Sequence, residues 1–185
     1  MAVYNQPADS ANTAVRAFLT QVGEFYLGRS FNTSSGKAKD DWLRIKEKAF
    51  NDQCAYCGEL DGKLQMEHLI MFNRQDCGLH HPGNIVPCCK DCNKRAKGEN
   101  KKYVGWEEQL ELICRRNNDI DNYFMRKKKI QQHMKKECYP DLNETERHAI
   151  YVIANSLYEN VKGESAKSLS LYKDLDEKFV KGNRS

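Results

Sequence analysis

Two pairs of cysteines have a spacing suited to metal binding. Cys54 and Cys57 are separated by two residues, and Cys89 and Cys92 repeat this spacing after an interval of 31 residues, 58–88. Each C-x2-C pair can form a knuckle that presents two thiolates, and two knuckles complete the tetrahedral coordination of one zinc ion. Because four thiolates leave no coordination position open for water, we expect this zinc to be structural.

Cys88 leaves a second ligand register open. Cys88 and Cys92 would form a C-x3-C pair, in which Cys88 replaces Cys89 as the ligand. The C-x2-C register has the advantage that the same spacing then occurs twice. The other three cysteines share no common spacing, and we expect them to be ordinary buried or free thiols.

Oxygen and nitrogen donors lie between and beside the two cysteine pairs. Glu67 and His68 stand in "MEHLI", Asn84 in "HHPGNIVP", and Asn93 directly after the last cysteine of its pair. An imidazole titrates near neutral pH and can act as a general base. Carboxylate and amide oxygens can hold a hard divalent cation, which neutralises charge on a phosphate under attack.

The region 53–102 resembles the HNH, or ββα-metal, nuclease family. "MEHLI", "HHPGNIVP" and "CCKDCNKRAKG" carry the resemblance in the family's order, over about a quarter of the chain. The resemblance implies that His68 is the general base and that Glu67 and Asn93 hold one Mg²⁺ or Mn²⁺. It also implies that Asn84 is structural and pins the loop that aims His68. This chain departs from the commonest pattern by having Glu67 instead of Asp and Asn93 instead of His.

Hydrophobic periodicity places these residues in an α+β fold. We expect a helix from Asn12 to Gly28, a second from about residue 40 to 50, and strands over 63–71 and 84–88. A further helix is expected to begin within "KDCNKRAKG", followed by helices from Trp106 onward, and Asn143 with Glu146 has the spacing of a capping box, with Asn in place of the usual Ser or Thr. The sequence therefore predicts a ββα-metal core at 50–104, with a helical extension at 1–49 and a helical region at 105–185.

Basic residues cluster although the formal net charge is only +4. The segments 90–102 and 126–136 each contain six Lys or Arg residues, and such clusters can track the phosphates of nucleic acid. The candidate phosphate contacts are Arg74, Lys94, Arg95 and Lys97. His80 and His81 could be a second metal ligand or a phosphate contact, or simply loop residues that bond to the backbone.

The 185 residues suit one compact domain, or a small module with added helices. No stretch reaches the roughly 20 apolar residues of a membrane helix, and the first residues lack the pattern of a secretory signal. We therefore expect a cytoplasmic protein that does not bind membranes, in which reduced cysteines bind metal and do not form disulfides.

The function expected from the resemblance is a metal-dependent DNA endonuclease that leaves 5′-phosphate and 3′-hydroxyl ends. Restriction and phage defence are candidate roles, and a homodimer or a targeting protein is the candidate partner besides DNA. Alternative functions are a junction-resolving or packaging nuclease, and a catalytically silent, zinc-stabilised module that binds nucleic acid or protein.

Overall fold

The structure, a computed structural model, describes residues 6–33, 36–60 and 62–180. Its elements within these ranges are helices α1 Pro7–Leu27, α2 Gly36–Arg44, α3 Trp106–Arg116, α4 Tyr123–Lys136 and α5 Glu144–Leu175, and strands β1 Gln65–His68 and β2 Ile85–Cys88. The fold is thus a mixture of helix and a small sheet, consistent with the predicted α+β class.

The first helix starts earlier than its sequence indicates. It begins at Pro7 and not at Asn12, because proline has a fixed φ that suits the first turn and needs no backbone donor there. Its end is the predicted one, since Gly28 follows with a φ of +70°, which glycine adopts without steric cost. The second helix also begins early, at Gly36, and continues as one turn of π-helix, Ile45–Ala49.

The two strands form an antiparallel ribbon in which His68 pairs with Ile85 and Glu67 with Val86. Both strands lie where the sequence predicts them, although each is shorter. All four residues of β2 are buried, whereas β1 has one buried residue, Glu67. The ribbon therefore packs into the core through β2 and carries the predicted catalytic residues on β1.

The helix expected at "KDCNKRAKG" does not form, and this prediction is wrong. Residues 90–93 make a turn, Lys97 forms an isolated bridge with Tyr103, and the next helix is α3. The reason is a long-range contact: the buried Gln109 of α3 accepts from the Ala96 N–H at 2.9 Å and donates to the carbonyls of Cys92 and Lys94. Backbone groups that would form a helix are bonded to this side chain instead.

The core packs against the buried strand and the cysteine pairs. Its largest members come from every part of the region between α1 and α4: Phe31, Ile45, Phe50, Tyr56, Leu69, Leu110 and Ile130. Because apolar burial is the main stabilising term of a small domain, these residues hold the ribbon in place.

The chain divides into two compact units. One contains residues 19–72 and 78–142, and the other contains residues 1–18, 73–77 and 143–185. These units cut across the three predicted segments, since α1 contributes to both and residues 105–142 belong with the ribbon. In the second unit, α5 starts with the predicted capping box: Asn143 Oδ1 accepts from the Glu146 N–H, and Glu146 accepts from the Asn143 N–H.

None of the helices in the described parts of the chain is both long and apolar enough to cross a membrane.

Candidate functional site

The four cysteines of the two C-x2-C pairs form one buried cluster. Their sulfur atoms all lie within 4.8 Å of one another, and Cys57 Sγ and Cys89 Sγ are 3.8 Å apart. In a tetrahedral site with Zn–S bonds of about 2.3 Å, two sulfurs are about 3.8 Å apart. The donor set and its spacing therefore fit a zinc ion, held by Cys54, Cys57, Cys89 and Cys92.

Each knuckle is closed by its own backbone hydrogen bond, which brings the two thiols of that knuckle together. The residue after each pair donates its N–H to the carbonyl of the first cysteine: Gly58 to Cys54 at 2.8 Å and Asn93 to Cys89 at 3.0 Å. The Ala55 N–H donates to the Pro87 carbonyl at 2.8 Å, which fixes the first knuckle to β2. Asn93 is therefore a structural part of the second knuckle as well as a candidate catalytic residue.

The thiols interact strongly with one another. Hydrogen bonds from Cys57, Cys88 and Cys92 lower the pKa of Cys54, while bonding to Cys54 raises the pKa of Cys57 to about 12. The cluster thus favours the thiolate of Cys54, the form that binds metal, while the same contacts raise the pKa of the Cys57 and Cys92 thiols. Cys88 lies beside the cluster but is not among the four mutually close sulfurs, and its thiol donates to the Cys89 carbonyl. The geometry selects the register in which Cys89 is the ligand.

Asn84 closes the loop between β1 and β2. Its side chain is fully buried; Oδ1 accepts from the Ile70 N–H at 2.8 Å, and Nδ2 donates to the carbonyls of Ile70 and Leu79, both at 2.9 Å. These bonds join the start of the loop, just after His68, to its later part, just before His80. This is the contact pattern expected of a residue that pins the loop next to His68.

His68 stands at the end of β1 in an aromatic setting. Its ring stacks on Phe72, with centroids 4.7 Å apart and an interplanar angle of 13°. Its Nε2 lies 3.0 Å from Nδ1 of His80, a hydrogen-bond distance, and His80 in turn packs against Phe31. The plane and the direction of the His68 imidazole are therefore fixed by side chains of the loop.

Glu67 forms a buried ion pair with Arg95. Its Oε1 accepts from Nε and Nη2 of Arg95, and the two side chains are only 11% and 3% exposed, respectively. Burial raises the pKa of Glu67, and the charge and hydrogen bonds of Arg95 oppose that rise. Arg95 Nη2 also donates to the His68 carbonyl at 2.9 Å. Arg95, which the sequence predicted to contact DNA phosphates, is therefore a buried cation with a structural role.

The expected cation ligands are bonded to other groups. Asn93 Nδ2 donates to Gln65 Oε1 at 2.8 Å, and the Glu67 carboxylate faces the positive charge of Arg95. A guanidinium in contact with a carboxylate repels a divalent cation at the same oxygen. In this arrangement the Glu67 carboxylate does not fit a Mg²⁺ or Mn²⁺ ion and could bind one only after leaving Arg95, whereas the bond of Asn93 uses Nδ2 and not the amide oxygen that would bind a cation.

The other candidate phosphate contacts differ in exposure. Lys94 is 71% exposed, although it pairs with Asp91, and Lys97 is exposed beside the Tyr103 ring. Arg74 belongs to the other compact unit, where it stacks over Tyr158 at 3.9 Å and contacts Glu159. Lys94 and Lys97 are thus available to a phosphate, whereas Arg74 is held by its own unit.

His81 is a buried residue of the loop that bonds to the backbone. It is 1% exposed, and its Nδ1 accepts from the Gly83 N–H at 3.1 Å, which caps the short helical turn before β2. Of the two readings open for His81, the structure shows backbone bonding. Sequence reasoning gave no role to Gln109 or to the pairing of Glu67 with Arg95. Gln65 and Glu67 lie on the same face of β1, because successive side chains of a strand point to opposite faces. These two polar residues were a local indication that a polar segment packs against that face.

No protein-family model matches the chain, and searches among curated proteins and among solved structures find no match either.

Proposed function

We propose that this chain is a zinc-stabilised DNA endonuclease of the HNH type with His68 as its general base. The observation that carries the proposal is the way His68 is held. Its imidazole lies at the end of a short antiparallel ribbon, stacked on Phe72, next to a loop that Asn84 ties closed. A buried four-cysteine cluster anchors the same ribbon, and such support is what a preorganised catalytic group requires.

The proposed reaction is hydrolysis of a phosphodiester bond. The imidazole of His68 takes a proton from a water molecule, and the resulting hydroxide forms a bond to phosphorus. The bond between phosphorus and the 3′ oxygen breaks, and that oxygen takes a proton from solvent, which leaves a 5′-phosphate and a 3′-hydroxyl. A divalent cation would supply neutralisation of the phosphate charge. We propose that such a cation is required, with Glu67 and Asn93 as its candidate ligands once Glu67 is released from Arg95.

Plasmid cleavage tests this function. Supercoiled DNA is incubated with the wild-type protein and Mg²⁺, Mn²⁺ or EDTA, and nicked and linear products are measured. We expect cation-dependent cleavage and a loss of about 10² to 10⁴-fold in rate for His68→Ala. His148→Ala is the matched control, because His148 is an exposed histidine on α5. A folded His68→Ala protein that cuts as fast as the wild type would overturn the proposal.

Lys94 and Lys97 are proposed to contact the DNA backbone, because both are exposed cations close to the second knuckle. Replacing both with Gln should weaken DNA binding equally for unrelated sequences and lower its salt dependence. Replacing Lys167 and Lys173 on α5 gives a variant with the same change of charge. If the two variants lose the same affinity, the effect is one of net charge and not of this surface.

A silent binding module is the second candidate function, and the buried pair of Glu67 with Arg95 favours it. A carboxylate committed to a structural cation is not available as a catalytic ligand. In this case DNA or protein binding would be indifferent to Mg²⁺ and unchanged in His68→Ala, and no DNA form would be cut. For the enzyme, restriction or phage defence is the proposed role, with a second copy or a targeting protein as partner.

A further inference from the structure

Residues 96–104, which follow the second knuckle closely, form a tight hairpin. Lys97 and Tyr103 pair across it in an isolated antiparallel bridge. Toward the tip, the Gly98 N–H donates to the Lys102 carbonyl at 2.9 Å. The 96–104 hairpin therefore has a defined backbone, although it lies outside the ribbon of β1 and β2.

The base of this hairpin is attached to the core. The Val104 N–H donates to the Ala96 carbonyl at 3.1 Å, and each of these two residues also bonds to a buried side chain. Gln109 accepts from the Ala96 N–H at 2.9 Å, and Arg95 donates to the Val104 carbonyl at 3.3 Å. Because both arms of the hairpin are bonded to buried side chains, the residues on its outer side are held in place.

Tyr103 is an aromatic residue that the hairpin turns outward. Successive side chains of an extended segment point to opposite sides, and accordingly Val104 is 7% exposed whereas Tyr103 is 46% exposed. Lys97 Nζ lies 5.2 Å from the centre of the Tyr103 ring, a distance at which a cation is attracted to the aromatic face. Since Lys97 lies over one face, a flat ligand would take the opposite face of the ring.

An open cavity of about 460 Å³ lies beside the ring, and its lining includes Tyr103, Lys102, Glu99 and Glu108. The two carboxylates repel a phosphate group at short range. A nucleic-acid base carries no charge, and the amino group of a base such as cytosine can donate to a carboxylate. The chemistry of this cavity therefore fits a base and not the sugar–phosphate backbone.

Exposed lysines accompany the ring. They stand at positions 94, 97, 101 and 102, on the hairpin or between it and the second knuckle. Proteins bind single-stranded nucleic acid by combining such cations, which track the backbone, with an aromatic ring on which a base stacks. In a duplex the faces of the bases are covered by neighbouring base pairs, so the ring of Tyr103 would find a partner only where bases are unpaired.

We propose that the 96–104 hairpin is a contact site for single-stranded DNA, in which Tyr103 stacks on an unpaired base and the lysines contact the neighbouring phosphates. This inference rests on the proposed nuclease function and deepens it by naming the substrate class, which is DNA with unpaired bases. The stacking contact itself is measurable without any cleavage.

DNA binding tests the proposal. Fluorescence anisotropy measures the Kd of a labelled, mixed-sequence single strand of about 12 nucleotides and of the duplex with its complement, without added Mg²⁺ or Mn²⁺. We expect Tyr103→Ala and Tyr103→Leu to weaken single-strand binding by about 5 to 150-fold and to leave duplex binding unchanged. Tyr103→Phe, which keeps the ring, should bind like the wild type.

Tyr151→Ala is the matched control, because Tyr151 is also 46% exposed and lies on α5, in the other compact unit. This control should bind single strands like the wild type. The proposal would be overturned by unchanged single-strand binding in folded Tyr103→Ala, or by an equal loss for single strand and duplex. Wild-type binding in Tyr103→Leu would also overturn it, because the contact would then be apolar and not one of stacking.

Plasmid cleavage separates the failure of this inference from the failure of the proposed function. A protein that cuts DNA but binds single strands independently of Tyr103 refutes the stacking contact alone. A protein that cuts no DNA, yet loses single-strand affinity in Tyr103→Ala, refutes the nuclease and retains the contact site.

Discussion

The ion pair between Glu67 and Arg95 can be tested by replacing Arg95 with Met, which keeps the length of the side chain and removes its charge. The Arg95 side chain is 3% exposed and also donates to the carbonyls of His68 at 2.9 Å and Val104 at 3.3 Å. Removing one partner of a buried pair costs about 3–5 kcal/mol, because the other charge is left uncompensated. A domain of this kind has about 5–15 kcal/mol in total, so we expect Arg95→Met to be severely destabilised.

Urea denaturation of four proteins separates the ion pair from the other bonds of Arg95. The set comprises the wild type, Arg95→Met, Glu67→Gln and the double variant. Glu67→Gln preserves the shape and an acceptor oxygen but removes the negative charge. We expect Arg95→Met to cost about 1–3 kcal/mol less in the Glu67→Gln background than in the wild type, which is the coupling energy of neighbouring charged groups. The loss that persists in both backgrounds belongs to the bonds with the backbone carbonyls.

The same experiment bears on the proposed cation. If Arg95→Met is as stable as the wild type and the coupling energy is below about 0.5 kcal/mol, then Arg95 does not hold Glu67 in solution. The reasoning that places a structural cation at this carboxylate would then be refuted. Thermal melts with and without millimolar Mg²⁺ provide the second measurement: with the pair intact, Mg²⁺ should leave the melting temperature of the wild type unchanged.

Three further predictions follow from the fold. The purified protein should contain one zinc ion per chain by elemental analysis, with Cys92→Ser losing the metal and Cys88→Ser keeping it, and chelation should lower the melting temperature. Gly23→Ala should destabilise by more than about 1 kcal/mol, because its Cβ would lie 2.3 Å from a carbonyl oxygen, whereas Gly163→Ala, with open space around it, should stabilise by roughly 0.5–1 kcal/mol in thermal melts. Burial lowers the pKa of His81 to about 4, so the unfolded chain takes up its proton first, and melts across pH should show this contribution fully present above about pH 6.5 and lost as the pH falls toward 4.

Local sequence patterns predicted the structure correctly where residues close together in the chain determine it. The C-x2-C spacing predicts which sulfurs meet, because each knuckle is closed by a backbone bond within five residues. The stop of α1 at Gly28 and the capping box at Asn143 are also short-range events, and both were predicted.

Long-range contacts account for the places where the structure differs from the prediction. The turn after Cys92 depends on Gln109, whose side chain takes up backbone bonds that a helix would otherwise satisfy. Arg95 lies among lysines in the sequence, and this pattern predicts an exposed basic surface. It is buried instead, because it pairs with Glu67 on a strand 28 positions earlier. Neither Gln109 nor Glu67 can be recognised as a partner from the residues that neighbour Cys92 and Arg95 in the sequence. A charge run predicts a surface only where no buried carboxylate competes for one of its members.

The alternation of a β-strand explains why the predicted catalytic set is divided. Successive side chains of a strand point to opposite faces. Gln65 and Glu67 accordingly meet Asn93 and Arg95, while His68 meets the aromatic and histidine side chains of the loop. The proposed base, His68, is thus held by the loop between the strands, and the candidate cation ligands by the segment after the second knuckle. Because different elements support the two faces, loss of the proposed cation site would not by itself remove the proposed base. Testing His68 and Glu67 separately is therefore necessary, and the state of one does not predict the state of the other.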